Sequence, residues 1–80
     1  MENKSFENFY NSREKIVRAE LELLHRMILD TQAEIVQVKE DALQDPNRAG
    51  ELISLKIILE SLQKKESAFN IELEELKNQS

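Results

Sequence analysis

The chain contains no cysteine and no tryptophan, a single glycine, a single proline, and only three phenylalanines and one tyrosine. Without cysteine, neither a disulfide framework nor a thiolate zinc site can be built. With Gly50 as the one glycine, no glycine-rich phosphate loop can form. His25 is the only histidine. It sits between Leu24 and Arg26, with no second nitrogen ligand and no nucleophile beside it, and reads as a flanking surface residue. No spaced ligand cluster supports a metal, so no cofactor is expected. The longest unbroken apolar run is Ile57-Ile58-Leu59, against roughly 20 residues for a membrane-spanning helix, and no membrane insertion is predicted. Charged outer faces also argue against a basic amphipathic membrane anchor. The opening residues Met1-Glu2-Asn3-Lys4-Ser5 lack the charged start and apolar stretch of a cleaved secretory signal. A cytoplasmic protein is expected, with Met1 taken as its natural start.

The charge balance excludes further classes. The formal net charge is −5, and the eleven basic residues are spread along both halves. A nucleic-acid binder needs a basic face to displace counterions from phosphates, and no such stripe is evident; nucleic acid is not an expected partner. Eighty residues make one small domain, too small to enclose a catalytic cavity of its own. Paired carboxylates such as Glu74 and Glu75, or Glu40 and Asp41, have no apolar surroundings to raise a pKa for acid–base work. An enzyme is therefore not expected.

What the chain does have is two heptad seams separated by Asp45-Pro46. The first runs Val17, Leu21, Leu24, Ile28, Thr31, Ile35, Val38, Ala42, and the second Leu52, Leu55, Leu59, Leu62, Glu66, Phe69, Leu73, Leu76. Alternating three- and four-residue spacings keep one stripe of each helix against a neighbour. Glu66 and Thr31 are polar at seam positions. Glu66 reads as a solvated edge or a register-setting residue, with Lys15 and Lys39 as pairing candidates on the other helix.

The seams predict an all-α, antiparallel two-helix coiled-coil hairpin spanning 1–80: helix 1 over about 5–43, a turn at 44–45, and helix 2 over about 46–77. Ser5 and Ser12 each offer an N-cap oxygen. A start near Ser5 is favoured, and a start at Ser12 behind a loose aromatic arm stays open. Glu14–Arg18, Glu22–Arg26 and Glu60–Lys64 stand four apart with the acid first, the favourable order. Asp45 caps a helix whose first position is Pro46, where the missing N–H costs nothing. So short a connection folds the second helix back beside the first.

Apolar residues outside the seam carry the functional reading. Phe9, Ile16 and Leu23 fall seven apart, with Met27 beside them, on one side of the first seam. Leu29, Val36 and Leu43 lie on its other side, and Ile53, Ile57 and Ile71 lie off the second seam. A two-helix seam needs none of these, so burial against a partner or a second copy is implied. The candidate partner-binding residues are Phe6, Phe9, Tyr10, Ile16, Leu23 and Met27. The competing reading is a homodimeric four-helix bundle with a structural or regulatory role.

An acidic, cysteine-free hairpin of this length, with a turn at Leu43-Gln44-Asp45-Pro46 and a second helix carrying Leu59-Glu60-Ser61-Leu62, resembles the small co-chaperones of type III secretion needle subunits, the YscE-like family. The resemblance covers most of residues 12–76. It implies a hairpin that binds a larger, helical-repeat chaperone, the pair keeping an export substrate, the needle subunit, unpolymerised in the cytoplasm without nucleotide or metal. The longer first helix and its aromatic start depart from the family picture, and no individual binding residue carries over.

Overall fold

From Glu2 to Gln44 nothing in the sequence breaks a helix, and in the computed structural model this stretch forms one continuous helix, α1 (Glu2–Gln44). The second helix, α2 (Ala49–Gln79), runs back antiparallel along it. The structure describes residues 2–79, with side chains at residue 9 and from 11 to 78. The fold class read from the sequence, an all-α hairpin, is what the structure shows. Three intrahelical pairs expected from the spacing are formed, Arg18 to Glu14 at 3.0 Å, Arg26 to Glu22 at 3.3 Å and Lys64 to Glu60 at 3.5 Å.

The boundaries differ from the expected ones in ways the local chemistry explains. Helix 1 starts at Glu2 rather than Ser5 because residues 2–4 contain no breaker, and Ser12 lies well inside it. Gln44 is the last residue of α1, so the interruption narrows from 44–45 to Asp45 alone. Pro46 does not begin the α-helix as expected. Residues Pro46–Arg48 form a 3-10 turn, with Asp45 in an extended conformation as its cap. The Asp45 carboxylate accepts the Asn47 N–H at 3.1 Å, and the Arg48 N–H donates to the Asp45 carbonyl at 3.0 Å. These two bonds tighten the entry into α2, as 3-10 turns commonly do at helix starts. The Asp45 N–H in turn donates to the Asp41 carbonyl at 2.8 Å and completes the last turn of α1. At the other end α2 continues to Gln79 rather than 77, with Lys77 in its last turn, where a cation suits the negative end of the helix dipole.

The molecule is a rod of 66 × 14 × 13 Å with a radius of gyration of 18.4 Å, against about 12 Å for a compact chain of this length. A rod two helices thick buries only the strip between them. That strip consists of Val17, Leu21, Leu24, Ile28, Ile35 and Val38 from α1 and Leu62 from α2. Leu24, Ile28 and Leu62 form its centre, with Leu59 and Phe69 packed against them. The remaining apolar positions of the second seam, Leu52, Leu55, Leu59, Phe69, Leu73 and Leu76, are half-buried. Thr31, a seam residue with a hydroxyl to satisfy, donates it to the Met27 carbonyl one turn back at 2.7 Å.

Two cross-helix pairs mark the register. Arg13 is bound to Glu72, and His25 Nε2 lies 2.6 Å from Glu66 Oε2. The partner of Glu66 is thus neither Lys15 nor Lys39: in this register the half-buried glutamate meets His25, which occupies the flank of α1 opposite it. Glu72 is seven residues before the end of α2, and seven residues before Arg13 on α1 lies Phe6. The α2 backbone therefore runs alongside the aromatic turn at Phe9.

Candidate partner-docking surface

Seven-residue spacing places Arg13, Glu20, Met27, Glu34 and Asp41 along one flank of α1, and Glu51, Ile58, Lys65 and Glu72 along one flank of α2. The Arg13–Glu72 pair brings these two rows together on the same side of the rod. Two open grooves lie on that side between the helices. One, of about 640 Å³ near the turn, has Glu34, Gln37 and Asp41 on one wall, Gly50, Glu51 and Ser54 on the other, and Val38 and Leu55 at its base. The other, of about 400 Å³, exposes the edges of Leu24, Met27, Leu62, Ala68 and Phe69 between Glu20 and Lys65. Carboxylates dominate this flank. Its cations are Arg13, Arg48 and Lys65, and the first two are already committed to acids of the same chain.

Those commitments are close. The Arg13 guanidinium donates from Nη2 to Glu72 Oε1 at 2.8 Å and from Nε to Oε2, a two-pronged contact. The hydrogen bonds from Arg13 hold the Glu72 carboxyl below its ordinary value, partial burial opposes them, and the positive charge adds to them. Arg48 bridges the turn, donating to Asp41 at 2.6 Å and to Glu51 at 2.7 Å. Its own pKa is raised, chiefly by the hydrogen bond to Glu51. Glu34 makes no hydrogen bond or ion pair among the described residues.

The opposite flank is different in sign. Arg18, His25, Gln32 and Lys39 recur every seven residues on α1, and Lys56, Gln63, Asn70 and Lys77 do so on α2. No carboxylate stands in either row. Four of the eleven basic residues, Arg18, Lys39, Lys56 and Lys77, are brought to this side by folding, which the reading of each half by itself did not show. The signal was present in the seven-residue spacing of Arg18, Lys39, Lys56 and Lys77 once the two seams are set antiparallel.

Of the six partner-binding candidates, Phe9, Ile16, Leu23 and Met27 have described side chains. All four are exposed, Ile16 at 51%, Leu23 at 54% and Met27 at 49%. Met27 lines the groove beside Lys65, and Ile16 and Leu23 continue from it along the outer side of α1. Phe6 and Tyr10 have side chains outside the described residues. Leu29, Val36 and Leu43 are exposed on the cationic side of α1, and Ile53, Ile57, Ile58 and Ile71 are exposed on α2. Exposed apolar residues therefore occur on both flanks, a pattern the sequence implied. Among the described residues no helix is long and apolar enough to cross a membrane, and no three acidic, histidine or cysteine side chains gather as a metal site would require.

No protein-family model, no curated protein and no solved structure matches the chain.

Proposed function

We propose that this hairpin is a protein-binding module that acts by burying apolar surface on another protein, without catalysis and without a cofactor. The observation that carries the reading is the exposure of Ile16, Leu23 and Met27 on one side of a helix whose seam is already filled by Val17, Leu21, Leu24 and Ile28. Large apolar side chains left outside a completed seam mark a contact surface on a small chain. With the resemblance to the YscE-like co-chaperones, the specific form of the proposal is a cytoplasmic co-chaperone of a type III secretion system. It binds a larger helical-repeat chaperone, and the pair keeps a needle subunit unpolymerised.

The test is a double substitution, Ile16→Glu with Leu23→Glu. The native chain captured from its host should bring down a helical chaperone together with the needle subunit. The variant should lose both while keeping its helical circular dichroism. Loss of helicity instead would place Ile16 and Leu23 in a core and overturn the reading.

A second reading, the homodimeric four-helix bundle, is favoured by one observation: apolar residues stand exposed on both flanks, Leu29 and Val36 on one and Leu23 and Met27 on the other. In such a bundle each helix meets two neighbours. Light scattering across a concentration series distinguishes the two, since a bundle stays a helical dimer at every concentration.

A further inference from the structure

The exposed apolar residues on the outer side of α1 form one line, and that line is symmetric about Arg26. Leu23 and Leu29 stand three residues before and after it, Ala19 and Ala33 seven, Ile16 and Val36 ten, and Phe9 and Leu43 seventeen. All eight are exposed. Arg26 lies two residues from both Leu24 and Ile28, about half a turn round the helix from the seam, so the line crosses the side of α1 turned away from α2. Its seven-residue steps shorten once, to six between Leu23 and Leu29, and this carries it from the shoulder holding Ile16 to the shoulder holding Val36. A stripe with a period shorter than that of the helix winds a pair of helices left-handed.

We infer that this face seats a second copy of the chain, with the two α1 helices antiparallel and a two-fold axis at Arg26. The inference rests on the protein-binding reading and names what covers α1 before a different protein does. Symmetry selects the occupant. In an isologous pair every contact of one residue with another is repeated with the chains exchanged. The apolar positions of a helix packed antiparallel on its own copy therefore fall in pairs equidistant from the axis, and a separate protein imposes no such symmetry. In the pair Ile16 lies against Val36 of the second copy and Leu23 against its Leu29. Ala19 and Ala33 face each other, and their small side chains let the helix axes approach to about 8 Å.

The charges along the same line select the antiparallel direction. Arg26 stands at the axis, held to Glu22 of its own helix at 3.3 Å, and Asp30 of the second copy lies one turn from it. Glu40 is the mate of Ser12 in this register, which places it within one turn of Lys15 of the second copy. Lys15, Asp30 and Glu40 make no ion pair among the described residues of the hairpin. A parallel pair would instead set Lys15 and Glu40 each against its own copy, and like charges face to face are costly. The assembly is four helices in a row, α2, α1, α1, α2, and leaves both grooves of each chain open.

Because the chain has no cysteine, single cysteines locate the axis without background. Arg26→Cys, Ala19→Cys and Ala33→Cys, all at exposed positions, are each oxidised in the full-length chain and run on a non-reducing gel. Arg26→Cys should join to itself. Ala19→Cys alone and Ala33→Cys alone should not, because each lies seven residues from the axis and its own copy is about 21 Å away, beyond the roughly 7 Å between Cα atoms that a disulfide spans. A mixture of the two should join as a mixed pair. By light scattering the native chain should have the mass of two chains. Lys15→Glu should weaken the pair severalfold, and Lys15→Glu with Glu40→Lys should restore it.

Joining of all three variants to themselves marks a parallel pair and overturns the proposal. So does joining of none, and so does a native mass of one chain up to about millimolar protein. The functional reading is separable, because Leu29→Glu with Val36→Glu leaves Ile16, Leu23 and Met27 in place. That variant should run as a single chain and still capture a helical chaperone. A mass of two chains in it overturns the dimer, whereas failure to capture counts against the functional reading alone.

Discussion

Arg13 and Glu72, 59 residues apart in sequence, meet across the two helices through both carboxylate oxygens. A bidentate guanidinium–carboxylate contact fixes direction as well as distance, so this pair sets the alignment of α2 on α1 near the open end of the rod. The depressed Glu72 pKa gives that alignment a pH dependence. A carboxyl held below its ordinary value of 4.5 in the folded state contributes stability that is fully present above that value and is lost as the pH falls through the lower folded value. Thermal melts across the acid range should therefore fall with pH in the native chain. Arg13→Leu should lower the midpoint at neutral pH and flatten that acid limb. Arg13→Lys, which keeps the charge and loses the fork, should fall between the two.

Among the described residues Leu62 is the one α2 side chain buried in the strip between the helices, against Leu24 and Ile28. Leu62→Ala removes the centre of a strip only two helices thick. The expected loss is about 2–3 kcal/mol, the lower part of the range for such truncations, because the site is open to solvent on both flanks. For a chain of this size that corresponds to a fall of about 10–20 °C in Tm. Leu43→Ala, at a position 86% exposed, should change stability by no more than about 0.5 kcal/mol. Calorimetry or circular dichroism melts of the two variants check both values.

Which parts of this were legible in the chain follows from what a linear pattern encodes. The spacing from Val17 to Ala42 and from Leu52 to Leu76 specifies which face of each helix is covered, and Asp45-Pro46 specifies where the chain reverses. Both are local signals. The pairing of Glu66 with His25 is not local: it depends on how far α2 slides along α1, and a seven-residue slip would give Glu66 a different neighbour while preserving the seam. The two oppositely charged flanks were invisible for the same reason, since each combines residues from both helices. The helix starts at Glu2 and not at Ser5 or Ser12 because a cap signal inside a strongly helical run is overridden by the helix around it.

Glu66 occupies a seam position where its neighbours are Leu62 and Phe69, and its carboxylate lies against His25 at the helix edge. A polar residue in a seam lowers stability and restricts register. Glu66→Leu should raise stability by about 1 kcal/mol, within the transfer free energy of a half-buried leucine. It should also remove the penalty for alternative alignments. A spin-label pair placed on the exposed positions Lys39 and Gln63 should then report a broader distance distribution than in the native chain.

The entry into α2 offers two opposite changes within six residues. Asp45→Ala removes the cap on the Asn47 N–H and should cost about 0.5–2 kcal/mol. Gly50 is helical and a Cβ built there meets nothing within 4 Å. Gly50→Ala should therefore stabilise the chain by about 0.4–1 kcal/mol, mainly by restricting the unfolded state. Urea unfolding midpoints at constant slope measure both.

The turn also decides how the rod carries load. Because α1 and α2 run antiparallel, Glu2 and Gln79 lie at the pole opposite Asp45, so tension between them opens the hairpin as a zipper. The Arg13–Glu72 contact stands near the entrance and parts early. The seam pairs follow one after another toward the turn, and the Arg48 bridge between Asp41 and Glu51 yields last. Pulled from one end of each helix at opposite poles, the same rod would shear, with every seam contact loaded at once and a much higher force needed to part them.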